Sequence, residues 1–221
     1  MSAALIWISP GNADQNLPAA TDQSIKTGTL LVARRGLPDP RFHRTVVLIT
    51  EHVGGFSAGF ILNRPSDTRL HYVLPELESL NENKHKLHFG GPVATDELKL
   101  IQLSNDPPKD TEHLLDGLYL SGNLETLKDA LTRKLPTNEL RVYYGYAAWS
   151  RGQLASELVR GDWFVHGPEP GLVFSTPEDA IWSKLIDRYD PEGTLVRAPG
   201  IPWPITLMCT GSAGHYSTAS K

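Results

Sequence analysis

Several short segments of this chain pair polar side chains with small residues, a combination that suits contact with a ligand. Leu62-Asn63-Arg64-Pro65 closes an apolar run with an amide, a guanidinium and a stop. Phe89-Gly90-Gly91-Pro92-Val93 ends another run with two glycines, which lets a second backbone or a ligand approach closely. Gly145-Tyr146-Ala147-Ala148-Trp149 leads into Ser150-Arg151-Gly152-Gln153, and Glu157 follows one helical turn later. If these segments sit at neighbouring strand ends, Asn63, Arg64, Gly90, Gly91, Tyr146, Trp149, Gln153 and Glu157 converge in one cleft. Arg64 and the free N–H groups of a helix starting at Ser150 then both favour a carboxylate or phosphate. The structural alternative pairs Arg64 with Glu157 and leaves no ligand site. In that reading Gln153 serves a capping box, Asn63 bonds a turn, and Tyr146 and Trp149 fill the core.

Signatures of known chemistry are absent. There is no Gly-rich phosphate loop, dinucleotide fingerprint, H-E-x-x-H motif or G-x-S-x-G elbow. Thr210-Gly211-Ser212-Ala213-Gly214 approaches the last but lacks its first glycine. His85 and His88 stand three apart, a spacing that puts them on opposite faces of a strand, so the reading assigns no metal and no cofactor. A catalytic reading would have to draw its general acid or base from Glu157, His52 or Tyr146.

These residues need a scaffold, and the chain offers one. Short apolar runs read as strands at 29–33, 45–50, 58–62, 87–89, 99–103, 117–120, 140–145, 163–166 and 172–174, with Gly54-Gly55 turning the second into the third. Helices start at Asn123, at Ser150 and after Thr176-Pro177, and a weaker one spans 66–74. At Ser150 a capping box is expected, with Ser150 accepting from the Gln153 N–H, Gln153 reaching back, and Trp149 and Leu154 as the hydrophobic staple. Strands outnumber helices and their connections are too short for regular crossovers. The fold expected is α+β, with a mixed, mainly antiparallel, curved sheet.

Flanking this core, residues 1–26 are polar and residues 191–221 proline-rich. Both read as flexible arms around a single domain of 27–190. The lone cysteine, Cys209, falls in the second arm and reads as neither structural nor catalytic. A single cysteine excludes a disulfide framework and suits a reducing cytoplasm. No apolar run approaches membrane-span length, and Ala3–Ile8 is too short for a signal sequence. The 21 basic and 25 acidic residues leave a net charge of −4, which disfavours generic attraction to nucleic acid or anionic lipid. Arg34, Arg35, Arg41, His43 and Arg44, against Asp39 alone, form the one local basic run.

Taken in order, Asp39-Pro40-Arg41-Phe42, Glu51-His52, Asn63-Arg64-Pro65, Gly90-Gly91-Pro92-Val93, Gly145-Tyr146-Ala147-x-Trp149 and Gly152-Gln153-Leu154-x-x-Glu157-Leu158 resemble the YqgE/AlgH family of bacterial proteins. Ala148 departs from a position where that family usually has Gly, and Ala155 from one where an acid is common. The resemblance implies a sheet folded into a pseudo-barrel with helices around it, and a cytosolic protein, some of whose relatives are linked to regulation of gene expression. Three functions compete. The favoured one is a non-catalytic binding or regulatory protein acting through a small anionic ligand or a protein partner. The others are an enzyme of unrecognised type acting on an anionic small molecule and a DNA-binding regulator. The last lacks a basic recognition helix.

Overall fold

In the computed structural model, residues 24–75 and 85–191 are described. Almost all of both expected arms, and Cys209, lie outside them. Ile25, read with the first arm, packs into the core, and the Thr27 hydroxyl donates to the Thr50 carbonyl.

Ten strands among the described residues form one sheet: β1 (Leu30–Ala33), β2 (Val46–Val53), β3 (Phe56–Ile61), β4 (Pro65–Arg69), β5 (Lys86–Phe89), β6 (Val93–Leu103), β7 (Glu112–Leu115), β8 (Leu118–Ser121), β9 (Leu140–Trp149) and β10 (Trp163–His166). The order is β10-β1-β2-β3-β9-β6-β8-β7, with β4 attached through β5 to β9. Every pairing is antiparallel except β5 with β9. Helices α1 (Leu124–Thr132), α2 (Gln153–Val159), α3 (Pro170–Ser175) and α4 (Glu178–Tyr189) flank it. The fold is therefore α+β with a curled, mainly antiparallel sheet. The sheet curls because strands twist. Its edges converge without closing: a methyl group on Gly28 would lie 3.0 Å from Leu115 of β7 and 3.5 Å from Pro168, just beyond β10.

Two apolar cores result. The larger joins Val46-Val47-Leu48-Ile49, buried on both faces of β2, to the stripe Ile181, Trp182, Leu185 and Ile186 of α4. The smaller gathers Leu70, Leu74, Leu100 and Val142 under Leu127, Ala130 and Leu131 of α1. Each fully buried Leu, Ile or Val contributes roughly 1.5–3 kcal/mol relative to exposure. As expected, Asn123 caps α1, its Oδ1 accepting from the Glu125 N–H at 2.8 Å.

Two expected elements are replaced. The helix at 66–74 is strand β4 followed by a 3-10 turn, Leu70–Tyr72. Leu70 and Leu74 do have helical spacing, but it lasts one turn; Pro65 and Arg69 pair with His88 and Lys86 of β5, and that pairing overrides local preference. The strand at 172–174 is helix α3, with Pro170 in its first turn. A three-residue apolar run carries no periodicity by which to tell the two apart. One strand, β7, has no counterpart in the expectations; its residues Glu112-His113-Leu114-Leu115 carry little strand signal.

Candidate functional site

By their hydrogen bonds and ring contacts the expected residues fall into three groups. Asn63 and Arg64 form the first, against the loop that begins with the 3-10 turn Pro40–Phe42. Asp39 caps that turn, accepting from the Arg41 N–H, and pairs with the Arg41 guanidinium at 2.6 Å. The buried Asn63 amide spans the end of the loop. Its Oδ1 accepts from the Val46 N–H at 2.9 Å and its Nδ2 donates to the Arg44 carbonyl at 2.8 Å. That brace holds Arg44 in a left-handed conformation, φ 52°, which a non-glycine residue adopts at a cost. Arg64 donates to the His43 carbonyl, and the pair with Glu157 offered as the structural alternative does not form. No carboxylate of the described residues pairs with Arg64, and burial lowers its pKa. The Arg44 guanidinium lies 5.5 Å from the Trp182 ring centre.

Trp149, Gln153 and Glu157 form the second group. Glu157 Oε2 accepts from both indoles, Trp149 Nε1 and Trp163 Nε1, each at 2.8 Å. Its Oε1 accepts from Gln153 Nε2 at 3.1 Å. Phe42 completes the cluster, with its ring centre 5.6 Å from Trp163 and 6.2 Å from Trp149. The capping box is half formed. Gln153 Oε1 accepts from the Ser150 N–H as expected, but the Ser150 hydroxyl donates to that same oxygen, and the Gln153 N–H turns to the Ser150 carbonyl. The reason is Gly152, whose φ of 75° inserts a turn before α2 and takes the cap position itself.

Gly90, Gly91 and Tyr146 form the third. The Gly90 N–H donates to Tyr144 and its carbonyl accepts from Ile61, while Arg64 accepts from Phe89. The chain leaves β5 on one side of β9, crosses it at Gly90-Gly91, and returns as β6 on the other. A methyl group on Gly91 would lie 2.2 Å from Tyr146 C and Ala147 N, and one on Gly145 2.2 Å from the Gly91 carbonyl. What approaches these glycines is therefore another backbone. Of the eight residues, Tyr146 alone lines a cleft of about 650 Å³ between β2–β3 and the β7–β8 hairpin. Glu51, Lys99 and Glu112 are on its rim.

A fourth cluster escaped the sequence reading. Glu178, at the start of α4, accepts from His88 Nε2 at 2.7 Å and lies 3.3 Å from Arg141 Nε. Arg141 also donates to the Leu62 carbonyl and lies 5.4 Å from the Phe174 ring centre. Beside them Tyr143 is fully buried and its hydroxyl lacks a partner among the described residues. Burial raises its pKa, against the pull of the Arg141 charge. The available signal was Arg141 itself, a cation inside the apolar run Leu140-Arg141-Val142. His88 gave none, because its carboxylate partner comes from ninety residues away. Among the described residues no three His, Cys, Asp or Glu groups gather to hold a metal ion, and no helix is long and apolar enough to cross a membrane.

The Glu178 clamp sets an acid limit on stability. Burial works to raise its pKa and is the largest single influence, but the His88 hydrogen bond and the charges of His88, Arg141 and Lys86 together hold it below the ordinary 4.5. A carboxyl whose pKa is lowered on folding stabilises fully above its unfolded pKa and loses that contribution as pH falls through the folded one. Unfolding free energy is expected to drop below about pH 4.5. Glu178→Gln should flatten that limb in urea titrations between pH 6 and 3 (a span set by the usual carboxyl range). An unchanged acid limb in the variant would assign the loss to other carboxyls, among them Glu169, lowered chiefly by its His166 hydrogen bond, and Asp39, lowered chiefly by its Arg41 hydrogen bond.

With this geometry in place, comparison with known proteins locates the chain. The model of a family described as AlgH-like matches residues 30–192. A UPF0301 protein of Chlorobium luteolum is 34% identical over 180 residues, covering 80% of this chain and 94% of the relative. One from Mycobacterium ulcerans is 33% identical over 203 residues, covering 89% and 92%. Among solved structures, the AlgH protein of Pseudomonas aeruginosa superimposes with a TM-score of 0.62 at 27% identity, over 74% of this chain and 88% of that one. Protein DIP2367 of Corynebacterium diphtheriae gives 0.61 at 24% identity, over 76% and 91%, a likeness of fold. The chain belongs to the AlgH-like family.

Proposed function

We propose that the protein is a non-catalytic cytosolic binding and regulatory protein that takes a small anion at Arg64, and that any influence on gene expression passes through that ligand or a protein partner. The observation that carries this reading is the state of Arg64. It is a half-buried guanidinium, anchored by the His43 carbonyl, with no carboxylate partner among the described residues. An arriving carboxylate or phosphate restores the solvation that burial removes and offers the bidentate geometry a guanidinium prefers. Arg44, presented by the same loop through the Asn63 brace, supplies a second positive charge. In this reading Asn63 and Arg64 form the contact region. Gly90, Gly91, Trp149, Gln153 and Glu157 act by holding the frame, and Tyr146 faces the neighbouring cleft.

The test is a thermal-shift and calorimetric screen of inorganic phosphate and small carboxylates on the full chain. An anion present at one hundred times its Kd should stabilise by about 2.7 kcal/mol. Arg64→Ala should remove that gain while costing less than about 1 kcal/mol of intrinsic stability, since one hydrogen bond at the surface is lost. Equal stabilisation of the parent and Arg64→Ala proteins, or no stabilisation of either, overturns the reading.

A further inference from the structure

The 650 Å³ cleft beside Tyr146 has a chemistry opposite to that of Arg64. Its lining includes the apolar and aromatic side chains Phe56, Phe60, Leu120 and Tyr146, with Phe56 36% exposed although it is a large apolar side chain. Its rim carries Glu51, Glu97, Asp110 and Glu112 against a single cation, Lys99, whose amine already sits 3.4 Å from Glu97. Glu51, Asp110 and Glu112 pair with no cation among the described residues. Lys99 lies along one wall, over Gly122, where an added methyl group would meet its amine at 2.6 Å. Glu51 reaches the cleft through a bulge in β2. Ile49 pairs with Gly59 and Glu51 with Ala58, so Thr50 is an extra residue, and Thr50 and Glu51 both line the cavity. Two of the segments that carry the family resemblance, Glu51-His52 and Gly145-Tyr146-Ala147, therefore contribute to it.

We propose that this cleft binds an organic ammonium ion carrying an apolar body. The volume lies in the usual range for small-ligand sites, roughly 300–1,000 Å³. The carboxylates without a cation partner attract the ammonium group, the rings of Phe56 and Tyr146 offer it π-density, and the apolar lining takes the hydrocarbon. An anion would meet the like charge of Glu51, Asp110 and Glu112. This site is independent of Arg64.

The probe is phenethylammonium chloride, with phenethyl alcohol as its neutral counterpart, titrated into the isotopically labelled full chain by NMR and calorimetry at low salt. The expected result is saturable binding with a Kd of about 1 mM or tighter, amide shifts centred on Phe56, Glu51 and Tyr146, and weakening as salt rises. The double variant Glu51→Gln/Glu112→Gln, both at exposed positions, should weaken binding by about tenfold or more. Arg64→Ala should leave it unchanged. No saturable binding, equal binding of the alcohol, an unchanged Kd in the double variant, or loss of binding in Arg64→Ala would each overturn the proposal. Because Arg64→Ala removes only the anion response, failure here and failure of the anion reading are separately visible.

Discussion

Gly91→Ala and Gly145→Ala should each destabilise the fold by about 4 kcal/mol or more, enough to prevent accumulation of folded protein in a domain of ordinary stability. A methyl group on Gly91 would stand 2.2 Å from β9 backbone, and one on Gly145 2.2 Å from the Gly91 carbonyl, neither of them a side chain that can swing aside. The crossing is pinned by hydrogen bonds of Gly90, to Tyr144 of β9 and from Ile61 of β3, so relief requires breaking them. Gly145 carries a further penalty because its φ of 66° is left-handed. Gly167→Ala is the control: nothing lies within 4 Å of the added methyl group, and its effect should stay within about 0.5 kcal/mol. Urea denaturation of the three variants checks this. A Gly91→Ala protein with parental stability would mean that the crossing can open and that these glycines serve something other than close packing.

Glu157→Ala should cost about 3 kcal/mol. One carboxylate oxygen satisfies two indole N–H groups, on Trp149 and Trp163, which are 2% and 4% exposed. Truncation orphans both donors, at about 1–3 kcal/mol for each buried unsatisfied group, with partial relief where water enters. Glu157→Gln keeps a carbonyl oxygen at that place and should cost about 1 kcal/mol, the difference between a charged and a neutral acceptor. Tryptophan fluorescence reports the same event, because two of the chain's five tryptophans lose their common acceptor. An alanine variant with the parental urea midpoint and emission spectrum would show that the shared carboxylate contributes nothing to stability.

The scaffold was legible where local physics decides it. The apolar run in β2, the Gly54-Gly55 turn and the Asn123 cap each follow from rules that act within a few residues. Legibility ended where a distant partner decides. Residues 66–74 look helical until β5 arrives to pair with them. Gln153 satisfies the capping pattern, yet its hydrogen bonds are redirected by one left-handed glycine. For Arg64, a carboxylate at Glu157 was a reasonable partner on charge alone. The structure gives that carboxylate to two indoles, one of them Trp163, which lies outside every motif. The Glu51 cleft was least visible, since its walls come from β2, β3, β6, β7, β8, β9 and the segments before β7 and α1, and a bulge brings Glu51 to it.

The position of β9 also makes the sheet depend on pairings between segments distant in sequence. It takes β3 and β5 along one edge and β6 along the other, and supplies residues to both cores. It is also late in the sequence: Ser57 waits for Trp149, and Leu87 for Val142. Contacts of such separation raise the entropic cost of loop closure and slow the search. Among the described residues before β9, β2 pairs with β3 and β6 with β8, and the two halves are tied through β4–β5 and the Ile61–Gly90 and Phe89–Arg64 hydrogen bonds. Insertion of this ten-residue strand completes the crossing and the β9 share of both cores, while the larger core still waits for Leu154, Trp163 and the α4 stripe that follow it in the chain.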